Sequence, residues 1–187
     1  MSTLSPLARV AACLLSAATL LLAGCASAPT PADYARETPV LELRKYFNGP
    51  LTAHGIFTDR SGKVVRRFTV QMTGTWQGAQ GTLDERFTYS DGKTERRVWR
   101  LTDEGQGRWT GRADDVVGVA QGQAAGNALN WRYTLSLPVD GKVYEVQFDD
   151  WMFLMDERVM LNKAAMSKFG IHLGEVTLSF TKNPTAR

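Results

Sequence analysis

The amino-acid sequence predicts an all-β protein, an antiparallel meander closed into a barrel of eight to ten strands. Two observations carry that prediction. From about Leu51 the chain alternates apolar and polar residues with a period of two. Phe68, Val70, Met72 and Trp76 thus share one face, while Thr69, Gln71, Thr73 and Thr75 share the other. Turn-forming glycines interrupt the alternation at Ser61-Gly62, Gly78 to Gly81, Asp91-Gly92, Glu104 to Gly107 and Asp140-Gly141. A meander this long, with one apolar face per strand, leaves no exposed edge once it closes on itself. A two-sheet sandwich is the competing architecture.

The N terminus is organised differently. Arg9 precedes an apolar run from Val10 to Leu22, and the run closes on Leu22-Ala23-Gly24-Cys25. This is the layout of a bacterial secretion signal ending in a lipobox, with small residues at the cleavage point and a cysteine whose thiol takes a diacylglycerol. The run is about 13 residues long, short of the roughly 20 that cross a bilayer as a helix. Residues 1–24 therefore read as a lipoprotein signal peptide, 25–38 as a lipidated tether and 39–187 as a single barrel domain. Pro29 and Pro31, set among small residues, suit an extended spacer. Ala26, rather than aspartate, follows the cysteine, which is compatible with sorting to the periplasmic face of the outer membrane rather than retention at the inner one.

Within the domain, register is testable residue by residue. A two-residue Asp140-Gly141 turn sets Leu137 opposite Tyr144, Leu135 opposite Val146, Tyr133 opposite Phe148 and Arg132 opposite Asp149, so apolar meets apolar and cation meets anion. Around Asp91-Gly92 a two-residue turn would oppose Phe87 to Arg96. A three-residue loop, Ser90 to Gly92, instead opposes Leu83 to Trp99 and Glu85 to Arg97, and is preferred. Trp151 to Met155 and Val159 to Asn162 read as a hairpin around Asp156-Glu157. A short helical segment is expected near 163–169 and a closing strand at Val176 to Phe180.

Composition excludes several function classes. The net charge of +3 falls close to neutral once Arg9 leaves with the signal, and the basic residues are scattered, with pairs at Arg66-Arg67 and Arg96-Arg97. Nucleic acid is not the partner such a chain suggests. Cys13 leaves with the signal and Cys25 becomes lipidated, so no thiol remains for catalysis, a disulfide or a cysteine-ligated metal. His54 and His172 have no partner at metal-ligand spacing, and neither a nucleophile elbow nor a phosphate loop occurs. No metal and no cofactor are expected.

The remaining candidates are a pocket's residues. Gly118, Ala120, Gly122, Ala124 and Gly126 form an every-second-residue stripe of small side chains, which either leaves volume in a lumen or lets the strand bend against other groups. Trp76, Trp99, Trp109, Trp131 and Trp151 fall in strands, where they serve as core or as the walls of an aromatic pocket. The inward set Trp76, Phe87, Trp99, Trp131 and Tyr133 would line such a pocket. Glu85 and Arg97 are the charged residues that the alternation places on apolar faces. Paired inside the lumen, they would offer Arg97 as a donor fork to a ligand carboxylate. Asp114-Asp115 and Asp149-Asp150 are doublets whose members point to opposite faces of a strand, so neither chelates by itself.

Several segments together carry a family resemblance: Tyr46-Phe47-Asn48-Gly49, Asp59 to Lys63, Leu83 to Phe87, Asp91-Gly92, Asp115 to Gly118, Gly126 to Ala128, Asp149 to Met152 and Lys168 to Gly170. With the lipobox, they resemble the bacterial lipoprotein family catalogued as domain of unknown function 3833. The resemblance runs from about Tyr46 to Lys182. It implies a calycin-like, lipocalin-style barrel and a role in envelope lipid biology, with no catalytic residues to carry over. The expected function is a membrane-anchored periplasmic lipoprotein that binds a fatty acid, a phospholipid or another envelope lipid in its barrel. One alternative is a non-enzymatic scaffold with a packed core that docks a partner protein. The other is a lipid-modifying enzyme using Glu85 with Asp149 or Asp150.

Overall fold

The computed structural model describes residues 28–139 and 141–183, so Cys25, the expected signal peptide and Asp140 lie outside the described residues. Ten antiparallel strands form one closed barrel, each hydrogen-bonded to the next in sequence and the last returning to the first. They are β1 (Gly49–Asp59), β2 (Val64–Gln77), β3 (Gln80–Tyr89), β4 (Thr94–Gly105), β5 (Arg108–Arg112), β6 (Ala120–Ala125), β7 (Ala128–Val139), β8 (Lys142–Leu154), β9 (Val159–Lys168) and β10 (Ile171–Lys182). The meander is therefore a barrel and not a sandwich.

Both registers read from turn chemistry hold. In the β7–β8 hairpin Leu137 faces Tyr144, Leu135 faces Val146, Tyr133 faces Phe148 and Arg132 faces Asp149. In β3–β4 Leu83 faces Trp99 and Glu85 faces Arg97. The loop between them is three residues long, with Gly92 at a φ of 81° where a side chain would be strained.

The helical segment expected near 163–169 is a strand. β9 runs through Lys168, and Met160, Asn162, Ala164 and Met166 alternate as buried residues along its inner face. Ala164-Ala165 favours helix locally, but the ladder to β8 and β10 overrides that preference. Among the described residues, helix is confined to a 3-10 turn at Pro31–Tyr34 and a one-turn helix α1 (Leu43–Tyr46).

The small helix plugs one end of the barrel. Leu43, Tyr46 and the following Phe47 are buried. The Tyr46 hydroxyl donates to the carbonyls of Arg158 at 3.0 Å and Phe180 at 3.3 Å. The Lys182 ammonium donates to the carbonyls of Tyr46 at 2.8 Å and Asn48 at 3.0 Å, and also to that of Lys45. A cation thus serves the free carbonyls at the helix C terminus. The stretch from Thr30 to Val40, overlapping the expected tether, lies against the barrel wall. Tyr34 packs edge-on to the outward-facing Trp151 and Phe153, with centroids 5.7 and 5.0 Å away. Leu41 N–H then donates to the Gly126 carbonyl at 2.8 Å. The opposite end of the barrel is open.

Candidate functional site

The barrel encloses a cavity of about 960 Å³ that runs from α1 and Phe47 to the open rim. Its wall is the inner face of the strands. At the lower end stand Val70, Met72, Leu83, Leu101, Leu129 and Phe180; near the mouth stand Phe57, Phe68, Phe87, Leu137, Phe148 and Val176. The volume lies at the upper end of the range of roughly 300–1,000 Å³ typical of small-molecule sites.

Of the residues the sequence singles out, Glu85, Phe87, Arg97, Trp99, Trp131 and Tyr133 line this cavity. Trp76 does not. Its indole lies over Gly81 and meets Trp109 edge-on with centroids 5.8 Å apart, while its Nε1–H donates to the Phe47 carbonyl at 3.3 Å. It belongs to the closed end. Trp99 meets both Trp131 and Tyr133 edge-on, and Tyr133 stacks on Phe148 with centroids 5.0 Å apart and 8° between planes. These rings form one continuous aromatic wall across β4, β7 and β8.

The stripe of small residues is occupied. Gly122 lies directly beneath the Trp131 ring, and Gly111 on the neighbouring strand lies under the same ring. Ala120 is fully buried, whereas Gly118 sits in the loop before β6 and Gly126 in the tight turn that meets the Tyr34 carbonyl. The strand is thin because an indole covers it.

Near mid-height a polar belt crosses the apolar lumen. Arg97 points inward opposite Glu85, as the register requires, and its Nη1 is 3.9 Å from Glu85 Oε2. Its principal partner is another residue, Asp115. Arg97 Nε donates to Asp115 Oδ1 and Oδ2 at 3.1 and 2.9 Å, and Nη2 donates to Oδ2 at 2.7 Å. Asp115 arrives on the loop that follows β5, which is clamped along β7. Val117 N–H donates to the Thr134 carbonyl and Ser136 N–H to the Asp115 carbonyl, at 2.9 and 2.8 Å. The neighbouring Asp114 turns outward to Arg100. From the other side, the Tyr133 hydroxyl donates to Asp150 Oδ2 at 3.3 Å. Asp149, its neighbour, faces outward, accepts from Asn130 and pairs with Arg132. Burial pushes the Glu85 carboxyl up to about 7, against the pull of Arg97. Burial likewise raises Asp150 to about 7, against the hydrogen bond from Tyr133. The belt thus combines one guanidinium, one carboxylate bound to it, and two carboxyls poised near neutrality.

Sequence reasoning missed Asp115 as the guanidinium's partner and Asn162 as a lining residue. Alternation along β9, counted from Met160, would have placed Asn162 inside. No pattern in the sequence reveals where the loop carrying Asp115 turns. Among the described residues, no three His, Cys, Asp or Glu side chains are arranged to hold a metal ion.

Comparison with solved structures agrees on the fold. The S-type phycobiliprotein lyase CPES from Guillardia theta aligns with a TM-score of 0.60 at 5% identity, covering 85% of this chain and 100% of that one. A protein titled EF1p2_mFAP2b bound to DFHBI aligns with a TM-score of 0.42 at 10% identity, covering 74% of this chain and 95% of that one. A protein of unknown function from the DUF3598 family of Nostoc punctiforme gives 0.48 at 12% identity, covering 84% of this chain and 53% of that one. At 5% identity the likeness to the lyase speaks to architecture alone, that of a calycin-like barrel. No curated protein is similar enough to count as a relative. One family model matches residues 19–182, taking in Leu22 to Cys25 and the whole of the barrel. The chain belongs to that family, described as protein of unknown function DUF3833.

Proposed function

We propose that this protein is a lipoprotein, anchored through Cys25 to the periplasmic face of the outer membrane, whose barrel holds an acyl-chain lipid drawn from the envelope. The observation that carries the binding half is the cavity of about 960 Å³, open at one end and walled by apolar and aromatic side chains. A scaffold with a packed core would have no such space. The anchoring half rests on Leu22 to Cys25.

A fatty acid or another envelope lipid fits the apolar volume, and the polar belt supplies the contact for its head. A free carboxylate would have to displace Asp115 from Arg97, which already donates three hydrogen bonds to it. A lipid-modifying enzyme is favoured by one specific observation, that Glu85 and Asp150 share the lumen with carboxyls near 7. Asp149 plays no part in that reading, because it faces outward.

Native mass spectrometry of protein extracted from its own membranes tests the proposal. A co-purifying lipid of defined chain length supports it. Protein that emerges empty, and displaces no fluorescent apolar probe when lipids are added, overturns it. Chemical change in a lipid incubated with the protein, abolished in Glu85→Gln, would establish the enzyme instead.

A further inference from the structure

We infer that Asp150 and Asn162 form a headgroup subsite for a hydrogen-bond donor, so that the amphiphile selected by the barrel ends in a hydroxyl or ammonium group and not in a free carboxylate. This rests on the binding reading above and names the ligand's polar end.

Two acceptor atoms carry it. Asp150 and Asn162 are 6% and 2% exposed, and both line the cavity. One side-chain oxygen of each, Asp150 Oδ1 and Asn162 Oδ1, is buried with no hydrogen-bond partner. The remaining polar atoms of both side chains are committed. Asp150 Oδ2 accepts from the Tyr133 hydroxyl, and Asn162 Nδ2 donates to the Trp151 carbonyl at 3.3 Å. That last contact also fixes the amide's orientation, since a carbonyl accepts only from nitrogen. Asp150 faces Ala164 and Met152 faces Asn162 across β8–β9, so the two residues are diagonal neighbours on one inner face. At that spacing, about 7–8 Å between backbones and less between side chains, one ligand head reaches both. A buried oxygen left without a donor is destabilising, and a ligand O–H or N–H removes that cost.

The rest of the belt opposes an anion. The guanidinium of the belt, Arg97, is held by Asp115, and Glu85, Asp115 and Asp150 set three carboxyl groups in the same lining. An arriving carboxylate would meet acceptors where it needs donors. A hydroxyl or an ammonium meets what it needs, and the aromatic wall of Trp99, Tyr133 and Phe148 additionally suits a cation.

The test uses four probes with one twelve-carbon chain: dodecanol, dodecylamine, dodecyl methyl ether and laurate. Each competes with the uncharged fluorophore N-phenyl-1-naphthylamine for the full chain in lipid nanodiscs at pH 8, with empty discs as reference. The alcohol and the amine should bind roughly ten- to hundred-fold more tightly than the ether, the scale of one to two good hydrogen bonds to a buried acceptor. Laurate should be the weakest. Asn162→Leu, which removes an orphaned oxygen while keeping volume, should shrink the preference for alcohol over ether to within about threefold and leave ether affinity intact. Asp150→Asn should do the same to the preference for amine over ether. Equal binding of alcohol and ether by the unaltered protein would mean that water serves the two oxygens, and would overturn the subsite while leaving the lipid-binding barrel standing. Tightest binding by laurate would also overturn it. Failure of all four probes to displace the fluorophore would overturn the binding reading itself.

Discussion

Replacing Glu85 with glutamine should stabilise the barrel above neutral pH and flatten its pH dependence. The carboxyl sits opposite Arg97 within the lumen, and burial lifts it from 4.5 to about 7. Between those two values the folded chain keeps a proton that the unfolded chain has released. Stability is therefore full below about pH 4.5, declines as pH rises, and levels off above about pH 7. A displacement of that size corresponds to on the order of 3 kcal/mol. For a domain of this length it translates into about 6–12 °C in Tm. Glutamine keeps the shape and hydrogen-bonding capacity but has no charge to desolvate, and Asp115 continues to neutralise Arg97. Thermal or urea unfolding of both proteins at pH 5 and pH 8 measures the effect. The unaltered protein should lose stability from pH 5 to pH 8, the variant should lose clearly less, and at pH 5 the two should nearly coincide. Asp150, also raised to about 7 by burial, has the same sign and accounts for the slope that remains. A variant less stable than its parent at pH 8, or one with the same pH slope, would refute the reasoning. It would show that the Arg97 pairing outweighs desolvation at Glu85.

Three further outcomes are expected. Asp115→Asn should release Arg97 and raise laurate affinity about ten- to hundred-fold, with little change for dodecanol, as read by fluorophore displacement; unchanged laurate binding would show that Arg97 is inaccessible from the lumen. Gly122→Ala should push the Trp131 ring, whose Cζ3 would lie 2.7 Å from the new methyl, off the wall and into the cavity. A stability loss of about 1–3 kcal/mol on urea unfolding and weaker binding of every probe should follow. Cys25→Ser should abolish incorporation of labelled palmitate and release the protein from the membrane fraction; label retained at wild-type level would mean that the anchor lies elsewhere.

What was legible in the sequence follows how locally each feature is determined. The Asp140-Gly141 and Ser90-Asp91-Gly92 turns set their registers within a few residues, and alternation then carries Tyr133, Arg97 and Glu85 to the inner face without reference to the rest of the chain. The first half of β9, Val159 to Asn162, is legible as a strand, whereas its second half reads as helix because Ala164 stands on the inner face where leucine or valine would mark a strand. Helix propensity filled the gap. Asp115 was beyond reach for a different reason. Its position depends on a loop held along β7 by backbone hydrogen bonds to Thr134 and Ser136, which are known only once the barrel is closed. Trp76 was misassigned on a finer point. Alternation gives the face of a strand but not the height along it, and Trp76 stands at the capped end.

The glycines and the aromatic rings account jointly for why this barrel has a cavity. Four inner-face glycines each lie beneath a ring: Gly55 under Phe68, Gly81 under Trp76, and Gly111 and Gly122 under Trp131. A ring seated against a glycine occupies the space of the missing side chain, so it thickens the wall and leaves the axis free. Were each of these positions a valine, the rings would stand upright and fill the centre, as inward side chains fill most barrels of modest strand number. The stripe of small residues therefore does create space, though not by leaving its own positions empty. It lets Trp131 lie back, and Trp131 in turn buttresses Trp99 and through it Tyr133. Tyr133 holds one oxygen of Asp150, and the other is buried without a partner. Cavity volume and the polarity of its lining thus arise from one chain of contacts, which begins at a residue with no side chain.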